Sequence, residues 1–187
     1  MIYKSKEFKR NNFNKLIFNI VILIYFTGLC AGCTFATKCA DNLAFIKEVC
    51  DVQSFIFRSE TPFLKAYSNQ IIHSLSLISI ILLFKYSGVL KSMTVVVPFI
   101  LAVHNSCVNT VLLADNNLSI YQLLFHYTLK SSATAIVIIL YVYTITKEIL
   151  AGREDIKRDF KKLCIYCITL FFIFLIDYLI KILIYPR

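Results

Sequence analysis

Five stretches of this chain, at about 15–37, 69–86, 92–114, 119–146 and 163–185, are apolar for the length that a helix needs to cross a hydrocarbon slab roughly 30 Å thick. Inside such a slab no water satisfies backbone N–H and C=O groups, so each stretch must close its hydrogen bonds within itself as an α-helix. The expected fold is therefore all-α: a polytopic membrane bundle of five transmembrane helices, in a single domain covering 1–187. With 58% apolar residues and a mean hydropathy of +0.72, an ordinary soluble domain is excluded.

Charge sets the expected direction of the spans. Lys4, Lys6, Lys9, Arg10 and Lys15 face Glu7 alone in the opening segment, Lys85 and Lys91 flank a turn at Gly88, and 147–162 is densely charged. Cytoplasmic segments carry such an excess of bases, which predicts a cytoplasmic N-terminus and, after five crossings, an extracytoplasmic C-terminus at the cell membrane. In 38–68 acids and bases balance, while Leu43, Phe45, Ile46, Val49, Val52 and Phe55 recur at roughly helical spacing. That stretch is expected outside, as an amphipathic helix. The first apolar run is too long for a usual signal-peptide core and lacks a clear small-residue cleavage site, so it is expected to be retained. Pro98 is expected to kink the third span. Although the formal net charge is +9, the bases sit at the ends of apolar runs rather than on one face, which does not point to nucleic acid.

Within the first run, Gly28, Gly32 and Ala36 lie one helical turn apart and share a face, forming a smooth seam where a second helix can approach closely. A motif this short also arises by chance on a lipid-facing surface.

Charged side chains inside a bilayer cost a few kcal/mol each and should face protein or a water cavity. The fourth span carries Gln122, His126, Lys130 and Thr134 at steps of four, the third carries His104, Asn105 and Asn109, and the fifth carries Asp177 and Lys181. Counted from the outer end of its span, Lys130 lies roughly 16 Å deep and Asp177 roughly 12 Å deep. These depths predict an ion pair, with His104, Asn105 and His126 adding hydrogen bonds around it. Such a cluster reads either as an ion, proton or substrate site or as interhelical glue in which Lys181 also neutralises Asp177.

Cys30-x-x-Cys33 and Cys164-x-x-Cys167 look like halves of a zinc site, but they belong near opposite ends of two spans, so no metal is expected. Cys39 and Cys50 could form a disulfide in an oxidising compartment. His104 and Cys107 stand at a common i, i+3 spacing with no group to orient them, and no metalloprotease, nucleophile-elbow or phosphate-loop motif occurs. The expectation is a non-enzymatic chain with no cofactor.

The layout resembles the stage II sporulation protein M family. Carrying that likeness are Phe26-Thr27-Gly28 through Gly32, then Leu43-Ala44-Phe45-Ile46, the Gly88 turn with its spacing to Asp115, and Ile176-Asp177-Tyr178 to Pro186. It spans nearly the whole chain, though its motifs are diffuse. A lysine-glycine pattern in the third span is missing, and Leu129-Lys130-Ser131-Ser132 stands where the family has a Leu-Pro-Gln-Asn-like segment. The resemblance implies a bacterial membrane scaffold that holds peptidoglycan-degrading partners during sporulation, with 38–69 as the partner surface. Expected partners are the lipid bilayer, membrane-associated proteins such as cell-wall hydrolases, and a second copy of the chain. The competing reading is a small transporter or permease-like subunit whose pathway is lined by His104, His126, Lys130 and Asp177.

Overall fold

The computed structural model describes residues 2–39, 62–114 and 128–184. They form α1 (Ile2–Lys38), α2 (Phe63–Tyr86), a 3₁₀ segment (Leu90–Val96), α3 (Val97–Ala114), α4 (Leu129–Leu150) and α5 (Ile156–Ile184), with no strand among them. Among the described residues, five helices are long and apolar enough to cross a membrane: Asn12–Lys38, Tyr67–Tyr86, Leu90–Leu113, Leu129–Leu150 and Ile156–Leu183. Their outer faces carry large apolar side chains such as Leu23, Leu83 and Leu183, the surface of a multi-pass membrane protein rather than of a water-soluble bundle. The expected amphipathic helix and its Cys50 fall mostly within 40–61, outside the described residues, as does His126.

Local chemistry fixes the helix ends. Pro62, in an extended conformation (φ −57°, ψ 147°), stands directly before α2, where its missing N–H costs nothing. Pro98 lies inside the span Leu90–Leu113 as the second residue of α3, where the 3₁₀ segment gives way to α-helix. At the end of α4, Gly152 takes φ +61°, the Gly152 N–H donates to the Ile149 carbonyl (3.1 Å) and the Arg153 N–H to the Glu148 carbonyl (3.0 Å). This paired closure needs a residue that tolerates the left-handed region, which Gly supplies. Asp155 then accepts the Arg158 N–H through its Oδ1 (3.2 Å) and caps α5. The connector expected over 147–162 thus shrinks to five residues. α4 runs on to Leu150, and α5 starts at Ile156 rather than at 163.

α4 is central and packs against all four other helices, while α2 and α5 pack on each other and α1 packs chiefly on α3. The shared core holds Val21 of α1, Ile78 and Ile81 of α2, Leu101 of α3, Ile138, Val142 and Ile145 of α4, and Leu170 of α5.

Candidate functional site

Gly28 and Gly32 lie directly against α3. A Cβ on Gly28 would stand 2.6 Å from the Phe99 carbonyl oxygen and 2.8 Å from the Ala102 Cβ; one on Gly32 would stand 2.5 Å from the Val103 carbonyl oxygen and 2.9 Å from the Ser106 Cβ. Four residues along α1 advance the contact four residues along α3, so these two helices run parallel. Ala36, one turn further, is buried. With backbones this close, a short side chain can bridge them: the Ser106 hydroxyl donates to the Leu29 carbonyl at 2.7 Å. Its single proton is then used, leaving the Cys33 thiol, 2.8 Å away, to donate to the Ser106 oxygen.

The other three helices meet through charge. Lys130 Nζ of α4 lies 3.8 Å from Asp177 Oδ2 of α5, and the Tyr67 hydroxyl of α2 donates to that same oxygen at 2.6 Å. Lys130 also sits 5.3 Å from the centre of the Tyr67 ring, close enough for a cation–π attraction. Phe63, Phe174 and Tyr178 pack around that ring at 5.4–6.2 Å between centroids. Lys181, one turn beyond Asp177, is also buried.

A second polar layer closes the opposite end of the same three helices. Lys85 Nζ of α2, almost without solvent exposure, binds Glu148 Oε2 of α4 at 2.8 Å and Asp159 Oδ2 of α5. Tyr86 donates its hydroxyl to Asp159 Oδ2 at 2.5 Å, and Glu148 Oε1 takes Lys162 together with the Arg158 Nη2 at 3.3 Å. Among the described residues, Asp159 Oδ1 and the Tyr141 hydroxyl are buried without a hydrogen-bond partner.

The two layers are tied by one spacing. Tyr67 precedes Lys85, Lys130 precedes Glu148 and Asp159 precedes Asp177 by the same 18 residues. Five turns of an α-helix take 18 residues, so each helix presents both of its polar groups on one face, about 27 Å apart. Because α5 carries its acids in the opposite order, it runs against α2 and α4. The separation is close to the thickness of a hydrocarbon core, which sets both layers near its edges, where a charge costs least. Between them the three helices touch through Ile78, Ile81, Ile138, Val142, Ile145 and Leu170, none more than 1% exposed.

Of the expected cluster, the structure brings Lys130 and Asp177 together. His104 and Asn105 stand elsewhere, on α3: the His104 ring lies 5.4 Å from that of His73 on α2, and Asn105 lies beside the Tyr25 hydroxyl of α1. Side chains at neighbouring positions of one helix point about 100° apart, so similar depth alone does not gather them. Tyr67, Lys85, Glu148 and Asp159 were not anticipated as site residues. Their signal in the sequence is the repeated 18-residue interval. No group of three or more metal-ligating side chains occurs among the described residues, where both Cys-x-x-Cys pairs lie. A cavity of about 220 Å³ between α2 and α5, lined by Ile71, Leu75, Cys167, Phe171 and Phe174 among others, is apolar and offers a polar substrate nothing to bind.

No protein-family model, curated protein or solved structure matches this chain.

Proposed function

We propose that the chain is a non-enzymatic integral membrane scaffold, the role implied by its resemblance to the stage II sporulation protein M family. One observation carries this reading. Lys130 with Asp177 and Lys85 with Glu148 and Asp159 tie three helices at two levels, and the core between those levels is mainly aliphatic. A solute pathway needs polar groups in succession from one face to the other. Here they serve to fix helices, as interhelical polar contacts do in lipid.

In this scaffold the bases at the Lys85 end face the cytoplasm and the Asp177 end faces outward, following the bias of Lys and Arg towards cytoplasmic segments. The partner surface is 38–69, most of it beyond the described residues, and its partners are membrane-associated proteins of cell-wall remodelling.

The test is deletion of 40–61 from the full chain, followed by crosslinking in membranes. Expected is a bundle that still inserts and loses its crosslinked partners; undiminished partner recovery would overturn the assignment. The transporter alternative gains support from the burial of the Lys130–Asp177 pair. It predicts uptake of a solute that is abolished by Asp177→Asn in a chain that still folds, whereas the scaffold predicts no such uptake.

A further inference from the structure

The Lys85 end of the bundle leaves a defined set of cations over once its ion pairs are assigned. Glu148 is taken by Lys85, Lys162 and Arg158, Asp159 by Lys85 and Tyr86, and Glu154 by Lys91 at 2.8 Å. Asp155 caps α5 and keeps its negative charge, offsetting one of the cations around it. Lys147, Arg153, Lys157 and Lys161 are exposed, and none has a carboxylate within ion-pair distance among the described residues. Arg153 lies in the turn between α4 and α5, Lys147 in the last turn of α4, and Lys157 and Lys161 in the first two turns of α5.

The helix ends beside this turn also expose large apolar side chains. Leu150, Ile156 and Phe160 are all more than half exposed. On the first two turns of α5, Ile156 and Phe160 form an apolar row at i, i+4, and Lys157 and Lys161 form a basic row beside it. Phe160 follows Asp159, whose layer marks one edge of the hydrocarbon core. Both rows lie within about one turn of that edge, so Ile156 and Phe160 can turn towards acyl chains while the long Lys157 and Lys161 side chains extend back to the phosphates. Apolar anchors interleaved with unneutralised lysines are the chemistry by which a helix recognises an anionic membrane surface.

We propose that the α4–α5 turn is a docking surface for the headgroups of anionic phospholipids in the bilayer that the chain crosses. The surface selects lipid by charge and holds the bundle's depth through Ile156 and Phe160. This inference rests on the membrane-spanning architecture and is independent of the scaffold role.

The test uses the full chain in nanodiscs of equimolar phosphatidylglycerol and phosphatidylcholine, with retained lipids counted by native mass spectrometry after release. The wild type should retain phosphatidylglycerol preferentially. K157Q/K161Q should lower that preference about tenfold or more, and adding K147Q/R153Q should lower it by a similar factor again, since each base near the surface contributes about fivefold and the bases of the opening segment at the same end remain. Lys38→Gln, at the other end of the bundle, should leave it unchanged. A quadruple variant that keeps the preference overturns the proposal. So does a wild type that retains both lipids equally, including the case in which an acidic soluble protein is captured instead. Should the quadruple variant fail to insert, wild-type preference measured against rising salt decides. It must fall as charge is screened, and a salt-independent preference overturns the proposal.

Discussion

The α1–α3 pair and the α2–α4–α5 triad solve the same problem by different physics. Lipid tails are as apolar as leucine, so burying side chains gives helices little reason to associate in a bilayer. α1 and α3 associate by shape, with two glycines admitting backbone contact at distances a Cβ would forbid. The triad associates by charge, through ion pairs at both ends of a mainly aliphatic middle. Shape is graded in its tolerance, because a slightly larger residue forces a slight separation. Charge is all-or-none, because removing one partner leaves another ion without compensation.

That asymmetry predicts the largest effect at Lys85. Lys85→Met leaves Glu148 and Asp159 facing each other with one cation fewer, and its expected cost is about 3–5 kcal/mol. Thermal unfolding in detergent should show it as a large fall in Tm. Neutralising all three positions, as Lys85→Met with Glu148→Gln and Asp159→Asn, should recover most of the loss, since the uncompensated charges are gone. A triple variant no more stable than the single one would show that the layer acts by packing rather than by charge.

At the seam the expected loss is smaller and graded. Gly32→Leu should separate α1 from α3 at a cost of about 1–3 kcal/mol, and Gly32→Ala should cost less, though its Cβ already meets backbone at 2.5 Å. Cysteine crosslinking between the two helices, scored together with Tm, gives the readout. If alanine and leucine cost the same, the seam is all-or-none like the triad and the contrast collapses.

A looser tie is expected at the Asp177 layer, where the ion pair measures 3.8 Å against 2.8 Å for Lys85 with Glu148. In a double-mutant cycle of Lys130→Met and Asp177→Asn, the double variant should cost less than the two singles together by about 1 kcal/mol. Strict additivity would mean that the two groups do not compensate each other.

These differences also explain what the sequence disclosed. The seam is legible because Gly28, Gly32 and Ala36 lie on one helix and their pattern is local. The number and class of helices are legible because hydrophobic runs of spanning length have no other stable state in lipid. The Lys85 layer is not, since Lys85, Glu148 and Asp159 sit at the ends of runs where charge ordinarily marks solvent. Only the position of Gly152, which turns the chain within five residues, brings Asp159 back beside Glu148. His104 and Asn105 were misgrouped for a related reason: depth is readable from a run, whereas azimuth depends on which helices become neighbours.

The finest test sets the buried layer against the exposed pair just beyond it. Lys91 donates to Glu154 Oε1 at 2.8 Å, and both side chains are more than a third exposed. That donation holds the Glu154 carboxyl below the ordinary glutamate range. In the unfolded chain the same group titrates in that ordinary range, so the tie's stabilisation is complete above it and fades as pH falls through the lowered value. Surface pairs contribute little and weaken with salt. The Tm difference between wild type and Glu154→Gln should therefore be small at neutral pH, vanish in acid and shrink at high ionic strength. The Lys85 layer, sealed from counterions, should keep its effect as salt rises. A Glu154→Gln difference that persists in acid would mean that the glutamate acts through something other than its charge, and the distinction between buried and exposed ties would then need redrawing.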